Sequence, residues 1–231
     1  MSELEQVIDE RHSHMLAPSP QFYDFVASQL VKPWLRAWGG VGFEGGELVE
    51  DIEGAFIVAP THRSMNDIPA VTQVFDKITP GTQLHFMAKD SLWKIPLLGT
   101  IINAGGGFKA NQNANTLPSE TWRLIDKLVE NDAAITIFAE QHRREGRLVD
   151  PGHIAGVPMI AAKYGIPIVP VGIAGTEKGH RRPIRIVVGD PIEVPKSEGK
   201  AWVKVARELK LRLPAEMQKL QNRANLLRDL A

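Results

Sequence analysis

AFIVAPTHRSMNDIPAVTQVFD, residues 55–76, reads as a strand, a turn and a helix in immediate succession. AFIVAP (55–60) is a short apolar run with β-branched residues, the pattern of a buried strand. Pro69 suits the first turn of a helix, where its missing N–H costs nothing. The turn between them carries His62 and Asp67. Five residues along a regular helix rotate a side chain by roughly 140°, so the two cannot share a helix face. They can meet if His62 sits on the turn and Asp67 lies in the first turn of the helix. A carboxylate bonded to one imidazole nitrogen fixes the tautomer and leaves the other nitrogen as a base. Such a pair is suited to taking a proton from a hydroxyl.

The alternation continues outward from this stretch. LHFMAK (84–89) reads as a strand, and SLWKIPLLGTIINA (91–104) as a helical or partly helical segment. GGGFKANQ (105–112) is a glycine-rich strand or turn. PSETWRLIDKLVEN (118–131) is an amphipathic helix with Trp122, Ile125, Leu128 and Val129 on one face. AAITIFAE (133–140) reads as a strand ending at Glu140, HIAGVPMIAAKY (153–164) as a helix and IPIVPVGI (166–173) as a strand. PIRIVVGDPIEV (183–194) is a further strand and turn, and FEGGELVEDIEG (43–54) a turn-rich approach to the first core strand. Strands alternating with helices predict an α/β fold, a single domain with a mostly parallel or mixed central sheet flanked by helices.

Two helical segments frame that core. PQFYDFVASQLVKPWLRAW (20–38) repeats its apolar residues at helical spacing, which predicts an N-terminal amphipathic helix. Pro33 should kink or divide it, and Gly39-Gly40 should end it. The tail over 199–231 is helical, with a break expected at Pro214. The resulting plan is an N-terminal segment (1–39), a central domain (40–195) and C-terminal helices packing on it (196–231).

Composition narrows the function classes. Lys+Arg and Asp+Glu are both 27, so bulk charge points to no nucleic-acid partner. The chain has no cysteine, which excludes disulfides and a thiol nucleophile. His142, His153 and His180 match no standard ligand spacing, so no metal or other cofactor is expected. There is no run of about 18 apolar residues, and the N-terminus has no apolar signal core. Membrane contact should therefore be peripheral.

Four segments stand in a telling order: PTHRSMND (60–67), the IPLLG…GGGFK region (95–109), FAEQHR (138–143) and GIPIVPVGIAG (165–175). Together they resemble the glycerolipid acyltransferase family, over about residues 40–195. Its members acylate glycerol-3-phosphate or 1-acylglycerol-3-phosphate from acyl-CoA or acyl carrier protein. The resemblance implies that His62 is the general base, oriented by Asp67, and that Ser64 caps the following helix and is not a nucleophile. It puts Arg63, Lys109, Glu140 and Arg143 among the substrate-binding residues. Glu140 would orient Arg143 or a substrate hydroxyl. Arg63 and Ser64 look like the glycerol-3-phosphate variety, which carries His-Arg-Ser.

The resemblance further implies a cytoplasmic protein associated peripherally with the membrane surface. Lys178, His180, Arg181, Arg182 and Arg185 form a basic cluster able to meet CoA phosphates or anionic lipid. The chain departs from the family where Ala139, Gln141 and His142 replace the usual Pro, Gly and Thr, and where Lys109 stands for an Arg. Those departures motivate two alternatives: acyl transfer to a different alcohol or glycolipid, and a lipid-binding member without turnover.

Overall fold

The computed structural model describes residues 29, 32–37, 39–95, 99, 102–103, 106–110, 117–140, 156–177 and 183–231. Helix α1 (Lys32–Ala37) leads into strand β1 (Val41–Glu44), a short 3-10 turn, and strand β2 (Phe56–Pro60). Helix α2 (Asp67–Ile78), β3 (Leu84–Lys89), β4 (Phe108–Ala110), α3 (Ser119–Glu130) and β5 (Ala134–Thr136) follow. Then come α4 (Gly156–Tyr164), β6 (Ile168–Ala174), β7 (Ile184–Val188) and the long helix α5 (Trp202–Asp229).

The seven strands form one sheet in the order β1-β7-β6-β2-β5-β3-β4. Every neighbouring pair is parallel except β6 with β7. All five residues of β2 and all seven of β6 are buried, as expected of central strands covered on both faces. Side chains alternate across the sheet. Phe56 and Val58 join Val71, Val74 and Phe75 of α2 on one face, with Leu35 of α1. Ile57 and Ala59 join Leu124, Ile125 and Leu128 of α3, Val157 and Ile160 of α4, and Leu213 and Met217 of α5 on the other. The expected single α/β domain with a mostly parallel sheet is the one observed.

The structure revises the sequence reading at three places. Residues 41–44, the last two of them in the approach read as turns, form edge strand β1, which pairs with β7. Strand β5 stops at Thr136 instead of running to Glu140. Ile137 still donates to Val58 O at 3.0 Å, after which the chain leaves the ladder and carries Phe138 and Glu140 toward the end of β2. Pro214 does not break the tail: it lies inside the 28-residue helix α5. Its neighbours Leu213 and Met217 are fully buried, and that packing holds the helix through the one missing backbone bond. Pro33 stands in the first turn of α1, a tolerated position, and the rest of the expected N-terminal helix lies outside the described residues.

Among the described residues no helix is long and apolar enough to cross a membrane. None of their His, Asp or Glu side chains gather into groups able to hold a metal ion.

Candidate active site

Open α/β sheets bind ligands beyond the carboxyl ends of their strands. The residues of interest gather there, just past the ends of three adjacent strands. Thr61–Ser64 follow β2, Phe138 and Glu140 follow β5, and Thr176 follows β6. His62 Nδ1 lies 2.9 Å from Asp67 Oδ2. The sequence placed the imidazole on a turn and the carboxylate in the first turn of a helix, and so they stand, with Pro69 two residues further into α2.

Asp67 is wholly buried and has four donors. Oδ2 takes the backbone N–H groups of Arg63 (2.6 Å) and Ser64 (2.8 Å) besides the imidazole. Oδ1 takes the hydroxyl of Thr176 at 2.6 Å. The carboxylate thus winds the turn around itself, reaching back three residues as the acidic member of a capping box does. Ser64 Oγ supplies the other half by accepting from Asn66 N–H at 2.9 Å. A carboxylate in the first helical turn also sits at the favourable end of the helix dipole.

Because Asp67 can only accept when ionised, it assigns the proton on His62 to Nδ1. Nε2 is left as the acceptor nitrogen, with no hydrogen-bond partner among the described residues. The ring stacks on Phe138 at 4.2 Å between centroids, which fixes its plane. Its side chain is 14% exposed, so the imidazole is sheltered yet reachable.

Glu140 binds the protein itself. Its Oε2 accepts the main-chain N–H of His62 at 2.5 Å, and both oxygens face Arg63 Nη1 at 3.2 and 3.3 Å. The carboxylate is fully buried. Burial pushes its carboxyl above the usual range, against the pull of the Arg63 guanidinium and the His62 N–H. Arg63, expected on the substrate, has its side chain buried against Glu140 and Gln221. Lys109 is on β4, exposed, with Nζ 5.5 Å from the centre of the Trp93 ring. Strand β4 is three places from β2 in the sheet, roughly 14 Å at the usual spacing. The structure therefore brings His62, Asp67, Arg63 and Glu140 together and sets Lys109 apart. Arg143, His142 and His153 lie outside the described residues, as do 178–182 of the basic cluster.

Two contributors carry no sequence signal of their own. Thr176 stands one residue beyond the GIPIVPVGIAG segment. Gln221, 2% exposed, comes from α5 and bonds Thr61, Arg63 and Ile173.

The chain is similar to several known proteins. It is 22% identical over 205 residues to the 1-acyl-sn-glycerol-3-phosphate acyltransferase LPAT1, chloroplastic, of Arabidopsis thaliana, covering 83% of this chain and 55% of that protein. It is 22% identical over 158 residues to the 1-acyl-sn-glycerol-3-phosphate acyltransferase BAT2, chloroplastic, of Brassica napus, covering 68% and 44%. The chain spans about half the length of these curated relatives. The crystal structure of the 1-acyl-sn-glycerophosphate acyltransferase PlsC from Thermotoga maritima has the same fold. Its TM-score is 0.57 at 20% identity, over 96% of this chain and 84% of that one. The acyltransferase family model matches residues 40–174, more than half of the 231. The chain with this buried His–Asp turn therefore belongs to the acyltransferase family.

Proposed function

We propose that this protein transfers a fatty acyl group from a thioester, acyl-CoA or acyl carrier protein, to a hydroxyl of glycerol-3-phosphate or 1-acylglycerol-3-phosphate. The observation that carries the proposal is the 2.9 Å bond between His62 Nδ1 and Asp67 Oδ2. It leaves Nε2 free to accept a proton. The acceptor hydroxyl loses its proton to Nε2 as its oxygen bonds to the thioester carbonyl carbon. The C–S bond then breaks, and the imidazolium returns the proton to the leaving thiolate. Asp67 holds the ring and stabilises its charged form. A positioned base contributes about 10²–10⁴ in rate. No acyl-enzyme is needed, so the Ser64 hydroxyl is free for its bond to Asn66.

The named activities of the relatives support the glycerol phosphate acceptors. In this proposal Arg143 is the phosphate anchor, since a guanidinium can make two parallel bonds to phosphate. Arg63 and Glu140 act one step back, holding the backbone of His62. Lys109 would reach the substrate only at its far end. Work at a membrane surface is part of the same proposal, because 1-acylglycerol-3-phosphate resides there.

The test is thiol release from acyl-CoA and from acyl carrier protein with each acceptor, with mass analysis of the product. His62→Ala should abolish release above background, and wild-type rates in that variant would remove the mechanism. A second reading is favoured by one observation: the arginine beside His62 is engaged by Glu140. It is acylation of an alcohol without phosphate, which turnover of glycolipids but neither phosphate ester would establish.

A further inference from the structure

We propose that Gln221, on helix α5, is a positioning residue for the proposed transfer, fixing the turn that carries His62. The inference rests on the reading of His62 as the base. It lies outside residues 40–174, the part that matches the family.

The reason begins in the sheet. Strand β2 ends at Pro60, and Thr61 N–H makes one more bond to β6, at Val171 O (2.9 Å). The next β6 residue facing that side is Ile173. Its N–H and C=O would pair with a continuing β2, but the chain turns away at His62. Ile173 is wholly buried, so water cannot take the place of the lost partner strand. Buried backbone groups are nearly always paired. Here the pairing comes from two side chains. Thr61 Oγ1 accepts Ile173 N–H at 3.0 Å, and Gln221 Nε2 donates to Ile173 O at 2.7 Å.

The other end of the same amide holds the turn. Gln221 Oε1 accepts the Thr61 hydroxyl at 2.6 Å and Arg63 Nε at 3.3 Å. The orientation of the amide is forced, because Ile173 O only accepts and Arg63 Nε only donates. Gln221 therefore stands where the next peptide of β2 would have been. It grips the residues on either side of His62 with no hydrogen bond to His62 or Asp67 themselves. Glu140 secures the His62 N–H and Asp67 the ring, so the base is held through its neighbours, its backbone and its side chain. Helix α5 comes close enough only because residue 172 is glycine: a Cβ there would lie 2.3 Å from the Leu220 carbonyl carbon and 2.7 Å from Gln221 N.

Steady-state kinetics on Gln221→Met, Gln221→Glu and Thr61→Val test the role. Methionine keeps the volume and removes both polar ends. Glutamate keeps an acceptor for Thr61 and Arg63 and loses the donor to Ile173 O. A displacement of about 1 Å costs on the order of 10²-fold in rate, so kcat should fall about 10- to 100-fold in Gln221→Met. KM for the acyl donor should stay within about twofold. Gln221→Glu should fall between wild type and Met, and it carries the test if Met does not fold. Thr61→Val and Gln221→Met should be non-additive, since each cuts the same bridge. A lowered unfolding midpoint with kcat unchanged in the folded protein would mean a packing role only and overturn the proposal. His62→Ala run alongside separates the two readings. A rate kept by His62→Ala removes the base. A rate lost by it and kept by both Gln221 variants removes only the role of Gln221.

Discussion

Thr176 and His62 divide one buried carboxylate between them: Thr176 Oγ1 bonds Asp67 Oδ1 at 2.6 Å, and His62 Nδ1 bonds Oδ2 at 2.9 Å. The threonine thus settles which oxygen is turned to the imidazole. Thr176→Val keeps the shape and removes the donor, leaving a buried charged oxygen one partner short. The expected cost is about 1–3 kcal/mol of stability, together with a lower kcat. Thr176→Ser should restore both. Denaturant unfolding alongside kinetics checks the pair, and a fully active, fully stable Val variant would show that the hydroxyl is dispensable.

Asp67→Asn asks whether charge or shape matters. The amide oxygen can take the two backbone N–H groups and the imidazole, while the amide nitrogen faces the Thr176 hydroxyl, which can accept. The turn and the tautomer should therefore survive. In the proposed transfer the imidazolium would lose its counter-charge, and kcat should drop by a factor on the order of 10²–10⁴. Circular dichroism close to wild type with that loss of rate is the expected result. Retained rate would mean that Asp67 serves the fold alone.

Glu140 offers a test with a sign. Its carboxyl titrates above the usual range because burial outweighs the Arg63 charge and the His62 N–H. The folded protein therefore holds that proton more tightly than the unfolded chain. The ionised form costs stability above the raised value, and the cost is relieved as pH falls through it toward the ordinary carboxylate range. Glu140→Gln copies the protonated form and keeps an acceptor for the His62 N–H. The margin of wild type over this variant should shrink as pH rises through that window. Glu140→Ala removes the acceptors and leaves Arg63 charged and buried, at a cost of about 3–5 kcal/mol. Unfolding midpoints from pH 4 upward would reveal either trend, and a margin that grows with pH would contradict the assignment.

Gly172→Ala probes the contact between β6 and α5. The added carbon would overlap backbone atoms of Leu220 and Gln221, and backbone cannot swing aside as a side chain can. Overpacking of this kind costs about 1–3 kcal/mol. Because the same step loosens the Gln221 bonds, kcat should fall with stability. Loss of stability at constant kcat would separate the helix from the site.

Much of this was legible in the sequence. The strand–turn–helix of 55–76 and the spacing of His62 from Asp67 located the dyad, because that geometry is local. The helix expected over 118–131 spans Ser119–Glu130, since its apolar stripe is long and regular. Edge strand β1 escaped notice because VGFE offers only four residues and a glycine, and only pairing with β7 makes it a strand. The break expected at Pro214 followed helix propensity, which the packing of Leu213 and Met217 overrides. The bond between Glu140 and Arg63 was not legible for a related reason: nothing in the spacing tells that Arg63 turns inward beneath His62. Gln221 was invisible, being one amide among the many polar residues of a helical tail.

Thr61 and Gln221 are 160 positions apart in the chain, and that separation imposes an order of events. Contacts between distant positions form late, after the loop between them has closed. A chain leaving the ribosome presents its His–Asp turn long before the glutamine that braces it has been synthesised. Catalytic competence should then be the last property acquired. During refolding, thiol-releasing activity should lag behind the far-ultraviolet signal of the sheet and helices and coincide with the docking of α5. A fluorescent reporter on an exposed position of that helix, such as Arg212, would time the docking against the return of activity.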